Sequence, residues 1–492
     1  MRRNSVVVAD RSEFFIGGGW VRPSTSDVIE VISPITEKVL AVAPAGSTAD
    51  IDAAVAAART AFASGPWPRM TAAERADVLD RLVAAIAERS ADFAMTITEE
   101  NGSPLAFSEL GQVGLATMAL AYFAALARHF AFEEEREGLM SRARVIRSPV
   151  GVVGAIVPWN IPLLSIVMKL GPALAAGCTV VVKPSPETPL DSYILAECLL
   201  QAGIPDGVVN IVPGGRETGE HLVSHPGVDK ISFTGSVTAG QQIGARCGRL
   251  LRPVTLELGG KSAAVLCEDV DLSATIPALI PSIMGNNGQM CVAQTRVLAP
   301  RARYHDVVEA LAAEVSALSI GDPRDKATDV GPLVSQRQRD RVESYLRLGR
   351  SEGARVAAGG GRPDASPIGW FIEPTVFADV DNGMRIAQEE IFGPVVAVIP
   401  YESSADAVRI ANDSVYGLSG SVWGTDIDQA TAIARQVRTG TITVNGFAFE
   451  FNCPFGGVKS SGIGREFGPE GLSAFLEDKT LCVANTTSAI YT

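Results

Sequence analysis

From Gly151 the chain switches back and forth between short apolar runs rich in β-branched residues and longer stretches with helical spacing. "GVVGAIVPWN" predicts a strand that ends in a proline-rich turn, "LLSIVMKLGPALAAG" a helix, and "TVVVKPS" (179 to 185) a buried strand. A helix over 191 to 202, a strand in "GVVNIVPG", a short helix over 217 to 224, a strand in "KISFTGS", a helix over 237 to 247 and a strand in "PVTLELGG" follow. Strands that alternate with helices in this way predict a parallel sheet covered on both faces. Such sheets bind ligands beyond the carboxyl ends of their strands, where the turns "PWNIP", "KPSPE", "PGG", "FTGS" and "ELGGK" fall.

A second α/β series begins after Gly260, with strands in "SAAVLCEDV", "GPVVAVIPY" and "TITVN" and helices up to Met284 and over 305 to 318, 336 to 351 and 406 to 412. Upstream, 50 to 62, 72 to 91 and 110 to 130 are helical by spacing and predicted to pack on the first sheet. The segment 138 to 150 alternates arginine with apolar residues like an exposed ribbon, and 476 to 492 reads as a trailing strand; such edges need a partner, which points to oligomerisation. The fold class is therefore α/β, with two large domains, as 492 residues with 47% hydrophobic composition require.

Charge narrows the partners. Forty-two basic against 55 acidic residues give a formal charge of −13, so the overall field repels nucleic acid and anionic membranes. Seven cysteines without a C-x-x-C pair read as reduced thiols in the cytoplasm. The apolar run Val6 to Ala9 is far short of a signal peptide. Ser148 to Met168 carries no charge, but Pro149, Pro158 and Pro162 break it as a membrane helix.

The familiar nucleotide signatures fail. There is no G-x-G-x-x-G, and "GGKS" (259 to 262) has Thr255 where a P-loop needs glycine. His221 and His225 have helical spacing, yet no glutamate follows His221 and Pro226 comes directly after His225, so no metal site is expected. "FTGS", with Gly235 and Ser236, follows a strand and opens a helix, and could hold a pyrophosphate on its amides; Lys183 ends a neighbouring strand where an ammonium can reach a ribose or phosphate. Glycine turns and solvated lysines are common, but the two turns together favour a dinucleotide.

Cys291 stands in the polar turn "NNGQMCVAQTR", whereas the six other cysteines are scattered through apolar sequence. A cysteine there is either a small buried side chain or a nucleophile. Glu257 ends an apolar strand, where an unpaired carboxylate is costly unless it is structurally paired or kept for proton transfer. With Asn160, from the first strand's turn, these residues form an acyl-transfer set of nucleophile, water activator and oxyanion donor, if they meet.

These motifs closely resemble the NAD(P)-dependent aldehyde dehydrogenases. "PWNIP", "KPS", "FTGS", "ELGGK", "GQMC", "GDP", "GPLVS", "EEIFGPV", "YGLSGSVW", "VNG" and "PFGGVKSSGIGRE" run in family order over nearly the whole chain. The resemblance implies Cys291 as nucleophile, Glu257 as general base, and Asn160 with the Cys291 backbone N–H as oxyanion hole. It implies that Lys183 and Glu390 hold ribose hydroxyls, that Trp159 and Ser236 contact the cofactor phosphates and nearby backbone, and that Phe392 packs near the nicotinamide. Ile156, Val157, Ser185, Gly235 and Gly259 complete the implied cofactor site, which needs no glycine fingerprint. NAD is the expected cofactor; NADP stays open, because Pro186 stands where NAD-specific members place a glutamate and Glu187 comes one later.

The implied organisation is a discontinuous Rossmann-like cofactor domain (1–130 and 150–258), a catalytic domain (259–465), and a small β ribbon and tail (131–149 and 466–492) that joins subunits into a homodimer or homotetramer. The implied reaction takes an aldehyde through a cysteine hemithioacetal and thioester to a carboxylic acid. Rivals are a coenzyme A-acylating semialdehyde dehydrogenase, which in the family generally lacks the glutamate seen here as Glu257, a cysteine hydrolase, which needs a histidine partner, and a non-catalytic structural relative. Val113, Met118, Met290, Val292, Phe447 and Phe451 are the expected pocket lining and favour an uncharged aliphatic or aromatic aldehyde.

Overall fold

A computed structural model describes residues 8–138 and 141–484. Val6 and Val7 of the run Val6–Ala9, and the end of the trailing segment, 485–492, lie outside the described residues.

The first sheet has the order Gly462–Ile463, Val254–Glu257, Lys230–Thr234, Val152–Ile156, Thr179–Lys183, Val209–Ile211, Phe14–Ile16, Gly19–Val21. The five expected strands form its parallel centre, and antiparallel neighbours close both edges. Val152–Ile156 and Thr179–Lys183 are buried at every position, as strands covered on both faces must be, and this is why they read as unbroken apolar runs. Chain order reverses between Val152–Ile156 and Lys230–Thr234, so the crevice of a doubly wound sheet opens at Ile156 and Thr234.

Helix Pro162–Ala176 is buried at every residue, with Pro162 in its first turn and Gly177 in the left-handed conformation (φ 96°) ending it. Ser47 with Asp50 and Thr71 with Glu74 form reciprocal caps that start helices Thr48–Ser64 and Ala72–Glu88. Leu105–His129 is the one helical run among the described residues long and apolar enough to cross a membrane; here its Leu120 and Phe123 are fully buried, packed with helix Pro162–Ala176 in the core. The charge-free stretch from Ser148 resolves into a strand, a turn and the start of that second helix.

The second sheet has the order Arg355–Ala358, Thr375–Ala378, Val395–Tyr401, Arg296–Pro300, Ala263–Leu266, Gly420–Trp423, Thr443–Val444, parallel except for its first strand. The ribbon is a three-stranded antiparallel sheet of Leu476–Ala484, Ser141–Pro149 and Glu133–Glu137. Several strands have no counterpart in the sequence reading, among them the hairpins Phe14–Ile16 with Gly19–Val21 and Val28–Ile32 with Val39–Pro44 and the strand Arg296–Pro300, and the helix expected over 110 to 130 is preceded by a π-helical segment, Ser108–Gly114, ahead of helix Leu115–His129.

Candidate active site

Cys291 follows the tight turn Gly285–Gly288, in which Asn286 and Asn287 take left-handed backbone angles (φ 52° and 58°). Asparagine is among the few residues that tolerate this region. Gly260 packs directly on the thiol's own backbone: a Cβ there would lie 2.3 Å from the Cys291 carbonyl oxygen. The "ELGGK" turn and the "GQMC" turn, distant in sequence, are thus in contact. Cys291 is half-buried. Burial first, then the charges of Glu390 and Glu257, push its thiol up to about 12, while the backbone N–H groups of Cys291 and Val292 favour the thiolate.

Asn160 is buried and held from both ends. Its side-chain amide donates to the Gln289 carbonyl at 2.8 Å, leaving its second hydrogen for another acceptor. Its own carbonyl accepts from Asn286 Nδ2 (2.8 Å), Asn101 Nδ2 (3.2 Å) and Gln112 Nε2 (3.3 Å).

Glu257 is the last residue of its strand, and both carboxylate oxygens are buried without a hydrogen-bond partner. Burial first, then Glu466, hold its carboxyl well above the usual range, against Lys169 and Arg465. A backbone wraps it closely, since a Cβ on Gly456 (φ 151°) would lie 2.6 Å from Oε1. Behind it, Lys169 donates to Glu466 at 2.8 Å and to Thr234 Oγ1 at 2.6 Å, an ion pair with side chains 0% and 1% exposed. Lys169 and Glu466 were not singled out in the sequence; the signal available was one lysine in an otherwise uncharged helix.

At the sheet's crevice a groove of about 760 Å³ is lined by Ile156, Val157, Trp159, Lys183, Ser185, Gly235 and Ser236, seven of the ten expected cofactor residues. The other three adjoin it. The Phe392 ring meets Trp159 edge to face at 5.3 Å, Glu390 Oε1 accepts the Gly260 N–H at 3.0 Å, and a Cβ on Gly259 would lie 2.6 Å from Glu390 Oε2. Burial pushes the Glu390 carboxyl up to about 7.

The groove's donors suit a dinucleotide. Ser236 caps helix Val237–Arg249, whose first-turn amides open onto it. Lys183 Nζ donates to the carbonyls of Pro184 (2.8 Å) and Gly214 (2.6 Å) and keeps a third hydrogen; burial lowers the ammonium to about 8. Pro186 and Glu187 also line the groove, with Glu187 Oε1 engaged by Arg337 at 2.9 Å and Oε2 by the Ser185 hydroxyl at 2.5 Å.

A second cavity, about 550 Å³, reaches Val292 beside the thiol and is lined by Phe447, Phe449, Phe455, Glu450 and Cys453 among others. Val292 and Phe447 were expected there; Phe449 and Phe455 were missed. Met118 is 55% exposed, whereas Val113 is 2% exposed within the core.

The expectation that Cys291 alone stands apart from apolar surroundings is corrected: Cys453 and Cys482 are exposed, and only Cys178, Cys198, Cys247 and Cys267 are buried. The packing of its backbone on Gly260, three residues beyond Glu257, more than exposure, distinguishes Cys291. His221 and His225 do converge, both with Nε2 on Asp52 Oδ1 (2.6 and 3.2 Å). Because the Gly227 N–H donates to His225 Nδ1, the neutral His225 ring carries its proton on Nε2 and donates to Asp52.

Comparison with known proteins bears on this arrangement as a whole. The family model described as the aldehyde dehydrogenase family matches residues 20–481. The chain is 50% identical to geranial dehydrogenase of Castellaniella defragrans over 473 residues, 96% of this chain and 98% of that protein. It is 42% identical to 3-succinoylsemialdehyde-pyridine dehydrogenase of a Pseudomonas species, over 96% and 98% of the two chains. Among solved structures, the NAD+ complex of a Mycobacterium tuberculosis aldehyde dehydrogenase superposes with a TM-score of 0.96 at 51% identity, covering 98% of this chain and 100% of that one. A Pseudomonas syringae aldehyde dehydrogenase mutant in complex with NAD+ and octanal gives 0.93 at 39% identity over 96% of both chains. Likeness of this extent, in sequence and in backbone, has one reading: the chain belongs to the aldehyde dehydrogenase family.

Proposed function

We propose that this chain oxidises an apolar aldehyde to its carboxylic acid, with NAD+ as hydride acceptor and Cys291, Glu257 and Asn160 as its catalytic residues. The observation that carries the reading is that Glu257, buried with both oxygens unpartnered, ends the strand whose following turn packs at Gly260 on the Cys291 backbone, while the Asn160 amide, with a hydrogen to spare, is bonded to Gln289 two residues before Cys291.

A thiol pushed to about 12 does not ionise unaided, so ionised Glu257 accepts the Cys291 proton as sulfur bonds to the carbonyl carbon. The carbonyl π pair moves to oxygen, where the Asn160 amide and the Cys291 backbone N–H hold it. The bound nicotinamide supplies the acceptor for the hydride that leaves this carbon, and a thioester remains on Cys291. Glu257 first gives up to solvent the proton it took from Cys291, then takes one from water as the water oxygen bonds to the thioester carbon; the C–S bond breaks, the sulfur recovers that proton from Glu257 and the acid leaves.

Lys183 and Glu390 are proposed to hold ribose hydroxyls, and Ile156, Val157, Trp159, Ser185, Gly235, Ser236, Gly259 and Phe392 to line the cofactor. NAD is favoured over NADP because the Glu187 carboxylate stands in the groove and the Mycobacterium tuberculosis relative was solved with NAD+. The phenylalanine-lined cavity and the geranial dehydrogenase relative support an apolar substrate. The Glu257 carboxylate argues for water, not coenzyme A, as thioester acceptor. The open strand edges of the ribbon support a homo-oligomer, and seven free thiols support a cytoplasmic location.

The test is an aldehyde panel with NAD+ or NADP+, followed by absorbance of the reduced cofactor and assay of the acid. Acid formed without added coenzyme A is expected. Failure of every apolar aldehyde to yield reduced cofactor would overturn the reading.

A further inference from the structure

The catalytic turn holds a strained element that the reaction above does not use. Asn286 and Asn287 are consecutive non-glycine residues with left-handed backbones, both buried. Such strain persists only where surroundings over-determine it, and it concentrates at functional sites. Asn287 is saturated by its neighbours: Nδ2 donates to the carbonyls of Gly102 and Pro332, each at 2.9 Å, and Oδ1 accepts the Gly331 N–H at 2.7 Å. It anchors the turn to the rest of the fold.

Asn286 faces the other way. Its Nδ2 donates to the Asn160 carbonyl at 2.8 Å and lies 3.4 Å from the Gln289 carbonyl, which also accepts the Asn160 side-chain amide at 2.8 Å. The bonds form a closed ring: Asn286 amide to Asn160 carbonyl, Asn160 amide to Gln289 carbonyl, Gln289 carbonyl back to Asn286 amide. Gln289 stands two residues before Cys291. The ring therefore ties both ends of Asn160 to the nucleophile's own turn. With one Asn160 hydrogen fixed on Gln289, the planar amide leaves its second hydrogen only one direction. The Ser103 hydroxyl meets Asn286 Oδ1 and so fixes which face of the Asn286 amide carries the hydrogens.

We infer that Asn286 is a positioning residue that sets the Asn160 amide against the Cys291 sulfur, with Gln112, on the π-helical segment, bracing the same Asn160 carbonyl. This rests on the catalytic roles proposed above for Cys291 and Asn160. Asn286 touches neither substrate nor cofactor. Its effect runs through Asn160, so its loss costs nothing further once Asn160 cannot donate.

The experiment measures first-turnover formation of reduced cofactor in Asn286→Gly, which keeps the left-handed backbone and removes the amide, alone and combined with Asn160→Ala. The single variant is expected to slow first turnover by about 10-fold with the KM for NAD+ unchanged, the order expected from a sub-ångström misplacement. In the Asn160→Ala background the same substitution is expected to change nothing, because the two residues act as one unit. Gln112→Met, near-isosteric, is expected to slow first turnover by about 3-fold and also to lose its effect in that background. It keeps the idea testable if Asn286→Gly does not fold. Full rate in whichever single variants fold, or the same loss with and without Asn160, overturns the inference. A wild-type protein that reduces no cofactor with any aldehyde overturns the proposed function instead, so the two failures are distinct.

Discussion

Two carboxylates adjoin the turn that packs on Cys291, Glu257 at the end of the strand before it and Glu390 on its Gly260 amide, and they differ in what the backbone offers them. Glu390 is half-buried and keeps a partner, the Gly260 N–H at 3.0 Å, and its carboxyl rises to about 7. Its loop is pinned from helix Gln336–Ser351, where Gln338 donates to the Phe392 carbonyl at 2.6 Å and Arg341 to the Glu390 carbonyl at 2.5 Å. Glu257 has no donor on either oxygen, and burial with the Glu466 charge holds its carboxyl far above the usual range. A carboxylate with a fixed amide donor is stabilised as an anion and suited to hold a ligand's hydroxyl. One deprived of every donor holds a proton more tightly and is the stronger base once it has lost it, which suits a group that carries protons.

Substitutions can break this contrast in order of expected effect. Cys291→Ala removes the proposed nucleophile, and cofactor reduction is expected to vanish; measurable turnover by that variant would remove the nucleophile assignment. Glu257→Gln, which removes the acceptor of both the thiol proton and the water proton, should slow the first turnover of cofactor in rapid mixing and lower the steady rate by ~10²–10⁴. Glu390→Gln should release free acid normally but raise the KM for NAD+ by about 10-fold, the size of one charge-assisted hydrogen bond. If both glutamine variants changed the same kinetic parameter, the division of labour would be wrong.

The subtlest effect is on pH. The Glu466 charge raises Glu257, and Lys169, left unpaired by Glu466→Gln, lowers it. Both changes move the Glu257 carboxyl down. Because the base works when ionised, the acid limb of thioester hydrolysis should shift to lower pH, read from steady-state profiles scaled to each variant's plateau. An unchanged acid limb would mean that another group sets it.

The parallel strands at the centre of the first sheet were legible because burial on both faces writes them as continuous runs such as "TVVVK". Strands with one exposed face or few residues left weaker marks, and Val28–Ile32 with Val39–Pro44 escaped notice for that reason. Cys291, Glu257 and Asn160 could be picked as residue types suited to one reaction, but no periodicity states that Gly260 packs on Cys291. That contact follows from the closing of one sheet against the other. Glu466 and Lys169 were harder still, because the buried ion pair joins residues 297 apart in the chain, and the one local sign, a lone lysine in an uncharged helix, does not name its partner. The aromatic cavity was half visible: Phe447 followed from its motif, while Phe449 and Phe455 depend on how the 447–455 segment folds back.

Gly462–Ile463 seals the outer edge of the first sheet, with Gly462 opposite Glu257 and Ile463 opposite Leu256. On a ribosome, the strand that bears the base emerges long before its neighbour does. Until that late segment arrives, Glu257 borders an unpaired edge open to water, where an acidic side chain titrates normally and has no reason to hold a proton. The environment that raises Glu257 is therefore completed only in the last stages of synthesis, and a nascent chain arrested before residue 462 should leave that carboxylate on an unpaired edge.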